Sequence, residues 1–134
     1  MPYLSQFLDE GRAILHIGTG TVTGAEILER VIEDHRLGER LRAVRYALVD
    51  LSGATAVEVT AAEIQRIAAE HRQMTSFMPQ VAIAVISPQD IGFGMARMWE
   101  AFVADTGWMT RVFRAREEAT AWLAERLQKG TGDQ

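Results

Sequence analysis

Val81-Ala-Ile-Ala-Val-Ile86 is six apolar residues in a row, rich in β-branched types. A run of that length and composition reads as a strand, and its lack of alternation means that both of its faces are covered. Tyr46-Ala-Leu-Val49 repeats the signal. Between and around these runs lie stripes of helical period: Ile27, Leu28, Val31 and Ile32; then Ile64, Ile67, Ala68, His71 and Met74; then Ile91, Met95, Met98, Trp99 and Phe102. Met109–Phe113 reads as a fifth strand, and Glu117–Leu127 as a last helix with Ala119, Trp122, Leu123 and Leu127 facing inward. At the start, Tyr3–Leu8 and Ala13–Ile17 flank Asp9-Glu-Gly11-Arg12, a hairpin pattern. The predicted order is β-β-α-β-α-β-α-β-α. Strands alternating with helices imply crossover units, hence an α/β domain with a mixed, mostly parallel five-stranded sheet and about four helices. The first strand should lie antiparallel at an edge. No composition break divides the chain, so residues 1–128 are expected to form one domain, with 129–134 a polar, frayed tail.

Composition removes several classes of function. The chain has 134 residues, no cysteine and a net charge of −4. Disulfides, thiolate metal sites and a cysteine nucleophile are excluded, and a nucleic-acid partner would want a basic surface. No apolar stretch approaches the roughly 20 residues that span a bilayer, and MPYLSQFLDE lacks the pattern of a secretory signal. The expectation is a cytoplasmic protein without stable membrane insertion. Of the 14 basic residues only Lys129 is lysine, a skew that coding bias explains more simply than phosphate recognition. Arg36, Arg40, Arg42 and Arg45, interspersed with acids, read as a solvated connection after a helix that ends near Leu37-Gly38.

The stretch Gly18-Thr-Gly20-Thr-Val-Thr23-Gly24 has the flavour of a nucleotide loop, but its spacing is wrong. A dinucleotide fingerprint needs a third small residue at position 23, where Thr23 stands, and an acid about 20 residues on. Asp50 comes about ten residues too late, and no Gly-Lys-Ser/Thr follows. Thr23-Gly-Ala-Glu26 and Thr60-Ala-Ala-Glu63 are instead capping boxes, and Ser87-Pro-Gln-Asp90 is a variant of one. An acid already seated over each helix start leaves little attraction for phosphate.

Asp50-Leu-Ser-Gly53-Ala-Thr55, ending a buried strand ahead of a capped helix, resembles STAS-type domains, the SpoIIAA-like anti-sigma-factor-antagonist fold. Ser87-Pro-Gln-Asp90, Phe93-Gly-Met-Ala-Arg97-Met98 and Arg111-Val-Phe-Arg114 are similar to motifs of small bacterial STAS/SEC14-like proteins of uncharacterised function. The likeness runs from about Ile14 to Leu123. It implies a SpoIIAA-like βα superhelix acting through protein contacts. Regulated members carry a phosphorylated serine in Asp-Ser-Ser-Gly. The matching stretch here is Glu58-Val59-Thr60-Ala61, which puts Val59 at the modified position, so that switch is not expected. Relatives also often have Asp before the last helix, where this chain has Ala115.

No set of residues spells out catalysis. His16, His35 and His71 lack metal-ligand spacing and read as packed imidazoles. No Gly-x-Ser-x-Gly elbow exists. Ligands of open α/β sheets sit beyond the carboxyl ends of the strands, which here offer Ser52, Thr60 and other hydroxyls and carboxylates. The third helix is the better lead: Phe93 beside Arg97 reads as an interface anchor or as the edge of the core, and Met95 and Met98 as an adaptable apolar surface. The candidate partner or ligand surface is thus Ser52, Thr60, Phe93, Met95, Arg97 and Met98, with no catalytic, cofactor or metal residue. The leading expectation is a non-catalytic interaction or regulatory module whose partner is another protein or a second copy in a homodimer. The alternative is a carrier or sensor of a lipid-like or other apolar small ligand, which requires a cavity behind the third helix. An enzyme at the strand edge ranks last.

Overall fold

The computed structural model describes residues 3–132 and follows the predicted order. Strand β1 (Tyr3–Leu8) and a 3₁₀ turn (Asp9–Gly11) lead to β2 (Ala13–Thr23). Then come α1 (Gly24–His35), a 3₁₀ segment (Gly38–Ala43), β3 (Tyr46–Glu58), α2 (Ala61–Met74), β4 (Ala82–Ile86), α3 (Asp90–Phe102), β5 (Met109–Phe113) and α4 (Arg116–Gly132). The five strands form one sheet in the order β1-β2-β3-β4-β5. β1 is antiparallel to β2 at the edge, and every other pairing is parallel.

That order has a consequence for the layers. Each of the three crossovers steps the same way across the sheet, and right-handed crossovers in one direction put their helices on one face. α1, α2 and α3 therefore share a face, where Ile14, Ala47, Ile83 and Val85 point at Val31, Ile67 and Trp99 in the main core. Only α4 is left for the opposite face, over Leu48, Ala82, Ala84, Ile86 and Phe113. Ala82, Ala84 and Ala119 are almost wholly buried there, and small side chains of this kind let the helix approach the sheet closely.

Several local expectations shift. β2 and β3 run much further than Ile17 and Val49, with 11 and 13 residues, and stay paired through two register irregularities, at Ile17/Thr19 and Gly20/Thr21. The suspected loop is thus a bulged strand. Gly20 takes φ +63°, as a bulge glycine does. At Gly18 an added Cβ would lie 2.6 Å from Leu51 Cδ2. α1 ends at His35 rather than beside Gly38. The arginine-rich connection coils as a 3₁₀ segment that buries Leu41 completely, so it is anchored rather than solvated throughout. The capping boxes at Thr23/Glu26 and Thr60/Glu63 both form. The third does not: α3 begins at Asp90 with Gln89 in the cap position and no side-chain cap bond, because Ser87 is buried and its N–H bonds Phe113 O, continuing the β4–β5 ladder. α4 extends past Leu127 to Gly132, so most of the expected tail continues a helix; 133–134 lie outside the described residues.

Candidate functional site: an apolar cavity with a polar end

Strand order never reverses in this sheet, so the crevice that a topological switch point creates is missing. Concavities lie instead between the sheet and its helices: an open apolar groove beside α4, lined by Leu15, Tyr46 and Leu123, and a more enclosed space on the three-helix side. Between the sheet and α1–α3 is a cavity of about 110 Å³, walled mainly by apolar side chains such as Ile14, Val49, Ile67, Val85, Met95 and Ala96. An apolar protein cavity of about 150 Å³ takes up benzene, so this one has room for a small ring or a short branched chain.

Six polar or aromatic side chains share that wall: Tyr3 of β1, His16 of β2, Asp34 of α1, His71 of α2, Trp99 of α3 and Trp108 just ahead of β5. The Tyr3 and His16 rings stack at 5.7 Å with planes 5° apart. Ser5 Oγ lies 2.5 Å from His16 Nδ1. His16 Nε2 is 3.9 Å from Asp34 Oδ2 and Arg30 Nε 3.4 Å from Asp34 Oδ1, distances of loose ion pairing rather than strong hydrogen bonds. His71 sits between two indoles, with ring centres 5.6 Å from Trp99 and 5.4 Å from Trp108. Trp99 Nε1 donates to His71 Nδ1 at 2.9 Å, and Trp108 Nε1 donates to Met78 O at 2.6 Å.

Burial governs the charge of this end. It drives His16 down to about 4, helped by the Arg30 charge. It drives His71 down to about 3, helped by His16. It pushes Asp34 up to about 6 against the pull of Arg30. The Tyr3 hydroxyl is raised by burial and then by Asp34. Both cavity imidazoles are therefore neutral at pH 7. Since an indole N–H can only donate, His71 Nδ1 is the bare nitrogen, and its single proton sits on Nε2.

The six candidate surface residues do not come together. Met95 lines the cavity, and Met98 packs against the main core. Phe93 is half-buried, with the Arg114 guanidinium 4.3 Å from the centre of its ring. Arg97 is exposed and pairs with Glu100 at 3.1 Å. Thr60 is occupied with capping α2. Ser52 donates through Oγ and N–H to Asp50 Oδ1 at 2.5 and 2.9 Å, while the other Asp50 oxygen is held by Arg116 of α4. Val59, at the position of the family's phosphoserine, is buried in the main core. Of the predicted α3 stripe, Trp99 is buried with Met95 and Met98 on its inner side, while the two ends, Ile91 and Phe102, are 68% and 39% exposed. Sequence reasoning took His16 and His71 as packed rings; it missed their shared wall with Tyr3 and Asp34, for which no sequence spacing gives a signal. His35, also read as packed, bonds Glu70 at 2.9 Å outside this wall.

The chain is thus a single-domain α/β protein of SpoIIAA-like fold, with an apolar cavity on its three-helix side. That fold is shared with the crystal structure of an uncharacterized protein of the DUF3478 family, with a SpoIIAA-like fold, from Shewanella loihica PV-4. The two superpose with a TM-score of 0.53 at 13% identity, over 90% of this chain and 91% of that one. No protein-family model matches the chain, and no curated protein matches it in sequence. Among the described residues no helix is long and apolar enough to cross a membrane, and no cluster of three His, Asp or Glu side chains could hold a metal ion.

Proposed function

We propose that this protein is a non-catalytic, STAS-like cytoplasmic binding module whose ligand is a small apolar molecule held between the sheet and α1–α3. The observation that carries the reading is the cavity itself, in the place a carrier or sensor requires, behind α3. Its volume favours a small ring or short chain over a whole lipid. Catalysis is the weaker reading. Ser5, His16 and Asp34 do align as hydroxyl, imidazole and carboxylate, but an imidazole held near 4 is a poor base at pH 7, and the carboxylate stands too far from it to orient it.

Titration with toluene, followed by amide and methyl NMR, tests the reading. Shifts confined to cavity residues such as Ile67, Val85 and Ala96, with a rise in Tm, are expected, and Ala96→Phe should abolish both. If neither toluene nor a more polar ring of the same size perturbs those residues, the cavity is not a binding site and the reading fails.

A role in protein contacts, homodimerisation included, draws on a different observation. On the sheet face opposite the cavity, Leu4, Leu8 and Ile17 are 54%, 42% and 37% exposed. Sedimentation velocity separates this reading from the first, because a ligand-binding monomer needs no self-association.

A further inference from the structure

The hydrogen-bond inventory of the cavity is unbalanced, and the imbalance specifies the ligand. Trp99 Nε1–H and Trp108 Nε1–H both have acceptors, His71 Nδ1 and Met78 O. His71 Nε2–H, on the other side of the same ring, has none among the described residues. The Tyr3 hydroxyl on the same wall likewise has no hydrogen bond among them. Two side chains of the wall therefore carry donors without a partner among the described residues, beside the His16 ring and the Asp34 carboxylate, and a ligand that covers such a donor without accepting from it leaves it unmet at a cost. The wall has no cation of its own: Arg30 engages Asp34 from outside the lining, and both cavity imidazoles are uncharged. A buried anion would be left unpaired there, and a pure hydrocarbon would leave the donors unmet.

We infer that the cavity selects an uncharged molecule, about the size of one six-membered ring, whose single oxygen acceptor is gripped by His71 Nε2–H. This rests on the cavity being a ligand site and adds the chemical class of its occupant. The acceptor is a carbonyl, ether or similar oxygen; Tyr3 supplies a second donor from the same wall. Trp99 is a positioning residue: by donating to Nδ1 it fixes the tautomer that places the proton on Nε2.

Cyclohexane, cyclohexanone and cyclohexanecarboxylate share a ring and differ in the one feature at issue. Each is titrated into the full-length protein, with dissociation constants from NMR shifts and with the His71 ring nitrogens observed by ¹⁵N. The expectation is that cyclohexanone binds about 3- to 10-fold tighter than cyclohexane, the worth of one neutral hydrogen bond. It should shift Nε2 and leave Nδ1 on Trp99, while the carboxylate fails to bind. In His71→Phe the ketone should lose its advantage and the two neutral rings should bind alike. Equal binding of ketone and hydrocarbon to the unaltered protein, or tighter binding of the carboxylate, overturns the inference while leaving a ligand cavity in place. Binding by none of the three overturns the ligand cavity itself. The comparison in the unaltered protein decides the matter even if the substituted one does not fold.

Discussion

The two faces of the sheet solve the same covering problem with different means. Three helices lie over one face and enclose a cavity edged by Tyr3, His16, Asp34 and His71. A single helix lies over the other, closely packed on Ala82 and Ala84, and leaves the β1–β2 end bare at Leu4, Leu8 and Ile17. The difference follows from topology rather than from composition: a sheet wound in one direction assigns every crossover helix to one side. One face is left with an apolar cavity and buried polar groups; the other packs closely at β4 but keeps an open apolar groove where α4 faces Leu15, Tyr46 and Leu48, and exposed apolar surface beyond it.

Acid should expose this contrast most strongly. His16 and His71 are depressed to about 4 and about 3, so the stability they contribute is complete above their ordinary value of 6.5 and is lost as pH falls through the folded values. Asp34, raised to about 6, works in the opposite sense: its contribution is present at low pH and lost as pH rises through 6. Two histidines outweigh one aspartate, so urea unfolding should show a net loss on the order of 3 kcal/mol between pH 7 and pH 4. His71→Phe should flatten that slope. A pH-independent midpoint over this range would mean that the rings are not buried as described.

One substitution made on both faces gives the next largest contrast. Ala84→Val, under α4, overfills a packed layer and should cost about 1–3 kcal/mol. Ala47→Val lines the cavity, where the added methyls have space; stability should be unchanged or raised by up to about 1 kcal/mol, with weaker toluene binding. Equal losses at the two sites, measured by denaturant unfolding, would erase the distinction between the faces.

Smaller effects sharpen it further. Thr60→Ala removes the capping box of α2 and should cost about 1 kcal/mol by thermal unfolding without altering ligand affinity, since Thr60 serves the helix and not the cavity. Leu4→Lys with Ile17→Thr alters only exposed positions, so stability should move by less than about 0.5 kcal/mol. If the bare end of the sheet is an interface, the same pair should turn a sedimenting dimer into a monomer; a monomer before and after leaves that surface without a role in self-association.

Strand identity, helix order and two of three capping boxes were legible in the sequence, because each is written in neighbouring residues: an apolar run, a 3.6-residue stripe, a Thr with Glu three places on. The third box failed where a tertiary demand outweighed the local one, as β5 claimed the Ser87 backbone for the sheet ladder. The extension of β2 through Gly18 and Gly20 was hidden for a similar reason, since a bulged strand becomes regular only when its partner β3 is alongside. The predicted face of α3 holds at Met95, Met98 and Trp99 and fails at its ends, where Ile91 and Phe102 are exposed while Gly92 and, just past the helix, Val103 are buried.

What the sequence determined by itself, then, was a one-domain α/β chain with its elements in order and, through its lack of cysteine, no thiol chemistry. The tertiary structure alone decided that Tyr3, His16, Asp34, His71 and Trp99, drawn from five separate elements, share one wall. It also decided that a ring nitrogen there is left with a proton and no acceptor among the described residues. Periodicity and capping are fixed by the backbone geometry of adjacent residues. A cavity is fixed by how far apart whole elements pack, a distance that no local stretch of sequence records.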